Sequence, residues 1–261
     1  MNKINREERS NPGNKETAGF AFWKDWDNIT EIETNAIEKI QLAKNKIINA
    51  VPKGQLVAIY IKGSFVRREM KEGSDIDIVP VVTKDCYQES VWETNTPEVL
   101  PAIVVPISVE EFVDNELHSE TDLAVDLRAK PDSFLRMLDE CELIYGQPLN
   151  LDNYPIRTDK ETLVDEISVI RNGYIPYFES GQVDFDPLLK ETFWLIELVQ
   201  TVNGKRPKYS FEGIAASVDD NDHIVHDALG LRMMGSKKQR SDFVVKLKEY
   251  LNEIERQISS N

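Results

Sequence analysis

Gly63-Ser64-Phe-Val-Arg67-Arg68-Glu-Met-Lys-Glu-Gly73-Ser74-Asp75-Ile-Asp77-Ile-Val79 is the stretch on which the reading of this chain turns. Strand formers flank it, Gln55-Leu-Val-Ala-Ile-Tyr-Ile-Lys62 before and Asp75-Ile-Asp-Ile-Val-Pro-Val-Val82 at its end. Gly63 has no Cβ, so the backbone there can come close to a ligand. Ser64 adds a hydroxyl and an N–H. A short helix is expected over 65–70, and a helix start favours phosphate because its first N–H groups are free. Asp75 and Asp77 are expected on one strand. Residues two apart on a strand project from one face, about 6.5 Å apart. Two such carboxylates can share a hard cation such as Mg²⁺. Transfer of a nucleotidyl group needs this pairing of phosphate cradle and metal ligands. The metal clamps the triphosphate and lowers the pKa of an attacking hydroxyl.

Outward from this stretch, the first half alternates strands and helices. Thr30 and Glu33 have capping-box spacing at the start of a helix with an apolar stripe of Ile32, Ile37, Ile40, Ile47 and Ile48, ended by Pro52 and Gly54. Pro80 implies an exposed edge or a bulge in the second strand. Residues 84–98 read as a helix with a loop, and 102–107 as a third strand. Ser108 and Glu111 form a second capping box. Pro131 marks a helix start whose apolar face is Phe134, Leu135, Leu138 and Leu143. Such interleaving predicts an α/β domain. The later half reads as helices only. Thr158 and Glu161 cap one running towards Gly181, and Asp186-Pro187 opens another ended by Asn203-Gly204. Helical patterns follow over 211–218, 222–233 and 241–258. The expected division is a poorly ordered lead-in over 1–20, a first domain over 21–148, a linker over 149–157 and a helical bundle over 158–261.

The 261 residues carry a net charge of −15 and are 41% hydrophobic, enough for a compact core. The negative balance argues against a general nucleic-acid or anionic-membrane binder and suits a cationic or metal-bridged ligand. No apolar run reaches the roughly 18–20 residues needed to span a membrane. The first 19 residues lack the apolar core of a secretory signal, so a cytoplasmic location is expected. Cys86 and Cys141 lack metal-site spacing and are expected as reduced thiols. His223 and His226 have no third ligand at matching spacing and read as a surface pair.

Gly63-Ser64, the spacer and Asp75-Ile-Asp77 resemble the signature of the DNA polymerase β-like nucleotidyltransferase superfamily, over roughly 30–148. The run from Leu188 through Trp194 to Gly204-Lys-Arg-Pro-Lys208, followed by Phe211-Glu-Gly-Ile-Ala, looks like the C-terminal helical domain of streptomycin/spectinomycin-type aminoglycoside adenylyltransferases. The resemblance implies an α/β (α+β) nucleotidyltransferase domain with a small mixed sheet, then an all-α bundle. It implies ATP or another NTP as co-substrate with Mg²⁺, and AMP transfer to a hydroxyl of a small-molecule acceptor. Asp75 and Asp77 would be catalytic and metal-binding. Gly63, Ser64, Arg67 and Lys208 would hold the phosphates, with Arg68 a further guanidinium nearby. Aminoglycoside-modifying relatives hold a cationic antibiotic with acidic residues of the helical domain, for which Asp184, Asp186 and Asp219 to Asp222 are candidates. Trp194 and Phe193 read as core.

The pattern departs from the superfamily at one place. A third carboxylate is expected on the next strand, as metal ligand or general base. Its aligned positions here are Ala102 or Ile103. Glu98, Glu110, Glu111, Asp122 and Asp126 lie nearby in sequence, none favoured by spacing. Two other readings therefore stand beside a small-molecule transferase. One is an antitoxin-like or protein-modifying nucleotidyltransferase; the other is a nucleotide-binding module with impaired catalysis.

Overall fold

In a computed structural model, residues 21–119, 122–233 and 237–260 are described. The expected lead-in over 1–20 lies outside them. The chain forms two compact units, one of residues up to 119 with 130–156, the other of 122–129 with 157 onwards.

In the first unit, α1 (Glu31–Ala50) opens at the expected capping box: Thr30 Oγ1 accepts from Glu33 N, and the Glu33 carboxylate accepts from Thr30 N. Strands β1 (Leu56–Lys62) and β2 (Ile76–Val82) are antiparallel. A 3₁₀ turn leads to α2 (Gln88–Trp92). The expected third strand divides into β3 (Ala102–Val104) and β4 (Ile107–Ser108), both parallel to β2. Then come α3 (Val109–Asp114), capped by Ser108 with Glu111, and α4 (Pro131–Arg136), begun by Pro131. A fifth strand, β5 (Glu142–Gly146), pairs antiparallel with β1 and corrects the sequence reading: Leu143 belongs to it, not to a helix face. The order is β3-β2-β1-β5, with β4 also on β2. Pro80 is therefore in an interior strand, not an edge. It lies at the break where β2 passes from β3 to β4, where a missing N–H does least harm.

The two sheet faces are covered differently. Ile59, Ile61, Ile76, Ile78, Ala102, Val104 and Ile144 pack under Ala36, Ile40, Ala43 and Ile47 of α1. The small Ala36 and Ala43, not Ile32, bring α1 against the sheet; Ile32 is exposed. On the other face Ala58, Tyr60, Val79 and Val81 meet Phe112, Phe134 and Leu135 from α3 and α4. That cover stops short of the strand ends bearing Lys62 and Asp77.

The expected helix over 65–70 is a turn. Arg68 has a left-handed φ of 57°, which a continuing right-handed helix excludes. Its guanidinium forks onto the Glu33 carboxylate, Nε to Oε1 at 2.9 Å and Nη2 to Oε2 at 3.2 Å, and lies 4.7 Å over the Trp26 ring. Phe65, fully buried, packs against Phe22, Trp23 and Trp26. The Arg68 hydrogen bonds hold the Glu33 carboxyl well below the usual carboxylate range, at about 2, against the opposing effect of its burial. A depressed carboxyl pKa stabilises the fold above its unfolded pKa, and that contribution is lost as pH falls through about 2. Arg68→Met is therefore expected to lower Tm by a few degrees at pH 7. The deficit should shrink in thermal melts taken down to pH 3, where the unfolded chain already protonates this carboxyl.

The second unit is helical: α5 (Asp159–Val169), a π turn over Ile170–Tyr174, α6 (Ile175–Ser180), α7 (Phe185–Val202), α8 (Phe211–Ala216), α9 (Ile224–Met233) and α10 (Lys237–Ser260). The capping box at Thr158 and Glu161 is present, and Gly181 closes α6. The N-cap of α7 is Asp184, two residues before the expected Asp186. Phe193 is fully buried, and Trp194 packs against the same core, stacked on Tyr209 at 4.5 Å. Residues 122–129, placed by sequence in the first domain, lie here instead. Tyr177 Oη accepts from Val125 N at 2.7 Å, and Tyr174 donates to Leu127 O at 3.2 Å. Gly173 allows this close approach, since a Cβ there would sit 2.5 Å from Leu127 Cδ2. The expected linker residues Leu149 and Tyr154 pack in the first unit.

Candidate functional site

Strand pairing brings the candidate residues to the sheet face that also carries Tyr60 and Val79. Asp77 pairs with Lys62 on β1 and with Ile103 on β3, so all three side chains share one face. Asp77 is half-buried and flanked by the fully buried Ile76 and Ile78, which hold its carboxylate on that face. Asp75 is exposed and falls one residue before β2, at the strand entry, so the expectation that both aspartates lie within one strand is corrected.

Gly63 and Ser64 follow directly on Lys62 at the end of β1. Gly63 has φ +84°, and a Cβ there would lie 2.7 Å from Asp77 Oδ2. Glycine is thus required twice, for the left-handed backbone and for the space the Asp77 carboxylate occupies. The cradle and one of the acidic pair abut. The turn closes through Arg67 N to Gly63 O at 3.3 Å and Glu69 N to Ser64 O at 2.8 Å. Arg67 Nε donates to Glu69 Oε2 at 3.0 Å. Arg68 is engaged by Glu33 and serves the fold.

The position expected to hold a third carboxylate is taken by Ile103, directly across from Asp77. Of the other acids weighed from sequence, Asp122 is exposed in the second unit, and four have local roles. Glu98 pairs with Lys46 at 2.6 Å, Glu110 accepts from Asp85 N, Glu111 caps α3 and accepts from His118 N, and Asp126 pairs with Arg128. Among the described residues no group of three His, Cys, Asp or Glu is arranged to hold a metal by itself. Magnesium does not demand one: it keeps several waters and is commonly held by one or two carboxylates with substrate phosphates. The hard oxygen donors Asp75 and Asp77 beside a Cβ-free turn fit that ion.

Sequence reasoning missed Lys62. Its signal was the position itself, a cation one residue before Gly63-Ser64 and opposite Asp77. Cys141 senses this cluster: burial pushes its thiol up to about 12, with Lys62 opposing and Asp139, Glu140 and Asp77 adding to the shift. Cys141 and the exposed Cys86 are both free thiols.

Lys208 belongs to the second unit, exposed in the connection between α7 and α8. Its carbonyl accepts from Ser210 N at 2.8 Å, and a Cβ on Gly213 would lie 2.6 Å from that carbonyl oxygen. The acidic feature of this unit is one the sequence did not single out. Burial, then Glu191, pushes the Glu166 carboxyl up to about 8. A carboxyl whose folded pKa is raised contributes stability below its unfolded pKa, near 4.5, and loses it as pH rises towards 8. Glu166→Gln is expected to raise Tm by a few degrees at pH 8 and much less at pH 5, read by thermal melts at both.

No protein-family model and no curated protein matches the sequence. Among solved structures, the chain matches the spectinomycin adenyltransferase AAD(9) from Enterococcus faecialis, determined with ATP and spectinomycin. The TM-score is 0.53 at 15% identity, over 83% of this chain and 99% of that one. This chain thus shares the fold of that adenyltransferase, a mixed α/β unit with a small sheet and a helical unit. No helix among the described residues is long and apolar enough to cross a membrane.

Proposed function

We propose that this protein is a nucleotidyltransferase that moves AMP from ATP onto a hydroxyl of a small molecule. The observation that carries the reading is the abutment of the Gly63 turn and the Asp77 carboxylate. Asp75 and Asp77 would hold Mg²⁺, which supplies charge neutralisation for the triphosphate. Gly63 lets the turn come against the Asp77 carboxylate, and Ser64 would offer its hydroxyl and N–H to the phosphates. Lys62, across from Asp77, and Arg67, beside Glu69, would offset phosphate charge. The acceptor oxygen bonds to the α-phosphorus, the bond from that phosphorus to the β-phosphate oxygen breaks, and pyrophosphate leaves with the electron pair. The hydroxyl proton passes to solvent, with Ile103 standing opposite Asp77 where a third carboxylate is expected.

That same isoleucine favours a second reading, a nucleotide-binding module with impaired catalysis. A pyrophosphate-release assay with Mg²⁺ and ATP over a panel of hydroxyl compounds separates the two. Release with an acceptor that gains the mass of one AMP supports transfer. ATP binding without release on any acceptor favours the module. The net charge of −15 and the fold likeness make a polycationic acceptor the first class to screen.

A further inference from the structure

The turn after β1 is closed as a helix end is closed, with an unusual residue at the decisive place. Glu69 N donates to Ser64 O at 2.8 Å and Arg68 N to Phe65 O at 3.1 Å, the paired bonds of a Schellman motif. That motif needs a left-handed residue where Arg68 stands, and Arg68 has φ 57°. Glycine normally fills the position, because a Cβ there crowds the following carbonyl. Arginine can hold it only if something outside the turn compensates. The compensating groups come from earlier in the chain. Arg68 Nε donates to Glu33 Oε1 at 2.9 Å, Nη1 to Asp27 O at 3.0 Å, and Nη2 to Glu33 Oε2 at 3.2 Å and to Asn28 O at 3.3 Å. The Trp26 ring lies 4.7 Å from the guanidinium and also packs on Phe65, in the same turn. Residues 26–33 therefore grip the turn at 65 and at 68.

Every guanidinium nitrogen of Arg68 is thus engaged within the protein, and its influence passes through the backbone. Its φ permits the Glu69–Ser64 bond, and that bond fixes the carbonyl of Ser64. Gly63, the preceding residue, stands against Asp77, whose Oδ2 lies 2.7 Å from where a Cβ would be. We infer that Arg68 is a positioning residue for the candidate site: clamped by Trp26, Asp27, Asn28 and Glu33, it supplies the left-handed closure that shapes the Gly63–Ser64 turn for a nucleotide phosphate. This rests on the nucleotidyl-transfer reading above. It adds that the shape of the turn is set by residues 26–33, which lie outside the Gly-Ser and Asp-x-Asp pattern.

Glycine separates this backbone role from any role of the side chain. Mg²⁺-ATP binding is measured by calorimetry on the full chain for the wild type, Arg68→Ala and Arg68→Gly. Hydrogen exchange of the Glu69 amide is followed by NMR without nucleotide, beside thermal melts. Both variants lose the clamp and should melt below the wild type. Arg68→Ala should weaken ATP binding about tenfold and speed Glu69 exchange about as much, the factor that holding a Cβ left-handed implies. Arg68→Gly, which adopts that conformation freely, should stay within about threefold of the wild type in both. Glu33→Gln, which keeps an acceptor for the α1 cap, should fall between the wild type and Arg68→Ala. Ile47→Val, a core change on α1 outside the clamp, should lower Tm and move neither readout. Equal loss of ATP affinity in Arg68→Ala and Arg68→Gly would make the guanidinium itself the phosphate contact and overturn the inference. Unchanged affinity in Arg68→Ala, while the wild type binds ATP, would overturn it and leave nucleotidyl transfer standing. Weaker binding by Arg68→Ala without faster Glu69 exchange would overturn it as well. A folded wild type that binds no ATP would overturn it together with the transfer reading.

Discussion

Asp77→Asn is expected to lower Mg²⁺-dependent pyrophosphate release about a thousandfold. The substitution keeps the shape of the side chain, so the contact with Gly63 and the burial of Ile76 and Ile78 survive. In the proposed reaction, what is lost is one of two anionic ligands. Metal stabilisation of developing charge amounts to several kcal/mol, and each 1.4 kcal/mol is about tenfold in rate. Thermal melts should differ little, which separates lost chemistry from lost folding. Asp75→Asn should act in the same direction with a smaller effect. Asp75 is exposed and precedes the strand, so water can replace its ligand oxygen more readily than that of half-buried Asp77. Equal activity of the Asp77→Asn protein would remove Asp77 from the site.

Ile103→Glu is expected to raise the turnover number about a hundredfold, because a positioned general base contributes about 10²–10⁴-fold. Ile103 lies opposite Asp77 in the parallel β2–β3 register, and neighbouring strands are about 4.8 Å apart, so a carboxylate introduced there stands beside Asp77, where a third carboxylate is expected. Since Ile103 is already 36% exposed, the charge does not have to be buried. Steady-state kinetics on one acceptor read the change in kcat. An unchanged kcat would mean that proton removal does not limit the reaction, and that Ile103 is not an empty catalytic corner.

Much of this was legible because local rules and tertiary structure agree. Three capping boxes at Thr30, Ser108 and Thr158 stand where Ser/Thr-x-x-Glu spacing puts them. The Gly63-Ser64 and Asp75-x-Asp77 pattern was readable because both ends are fixed by strand formers. The misses have a common cause, residues whose conformation is decided far along the chain. Arg68 adopts a left-handed backbone because Glu33, 35 positions earlier, takes its guanidinium, and so the turn never becomes a helix. Leu143 continues the spacing of Leu135 and Leu138 closely enough to pass for a helix face, yet β1 recruits it into β5. Residues 122–129 carry no signal for the helical unit; two tyrosine hydroxyls and the bare Cα of Gly173 seat them there. Lys62 was overlooked because a lysine ending a strand is ordinary until its partner across the ladder is known.

Calorimetric titration of ATP into the wild-type protein, with and without Mg²⁺, tests the central claim most directly. The abutting Gly63 cradle and Asp75/Asp77 pair predict saturable, one-site binding that depends on the metal. Binding of equal strength without Mg²⁺ would contradict the role of the acidic pair. No binding by folded protein would contradict the nucleotide site itself and leave a nucleotidyltransferase fold put to another use.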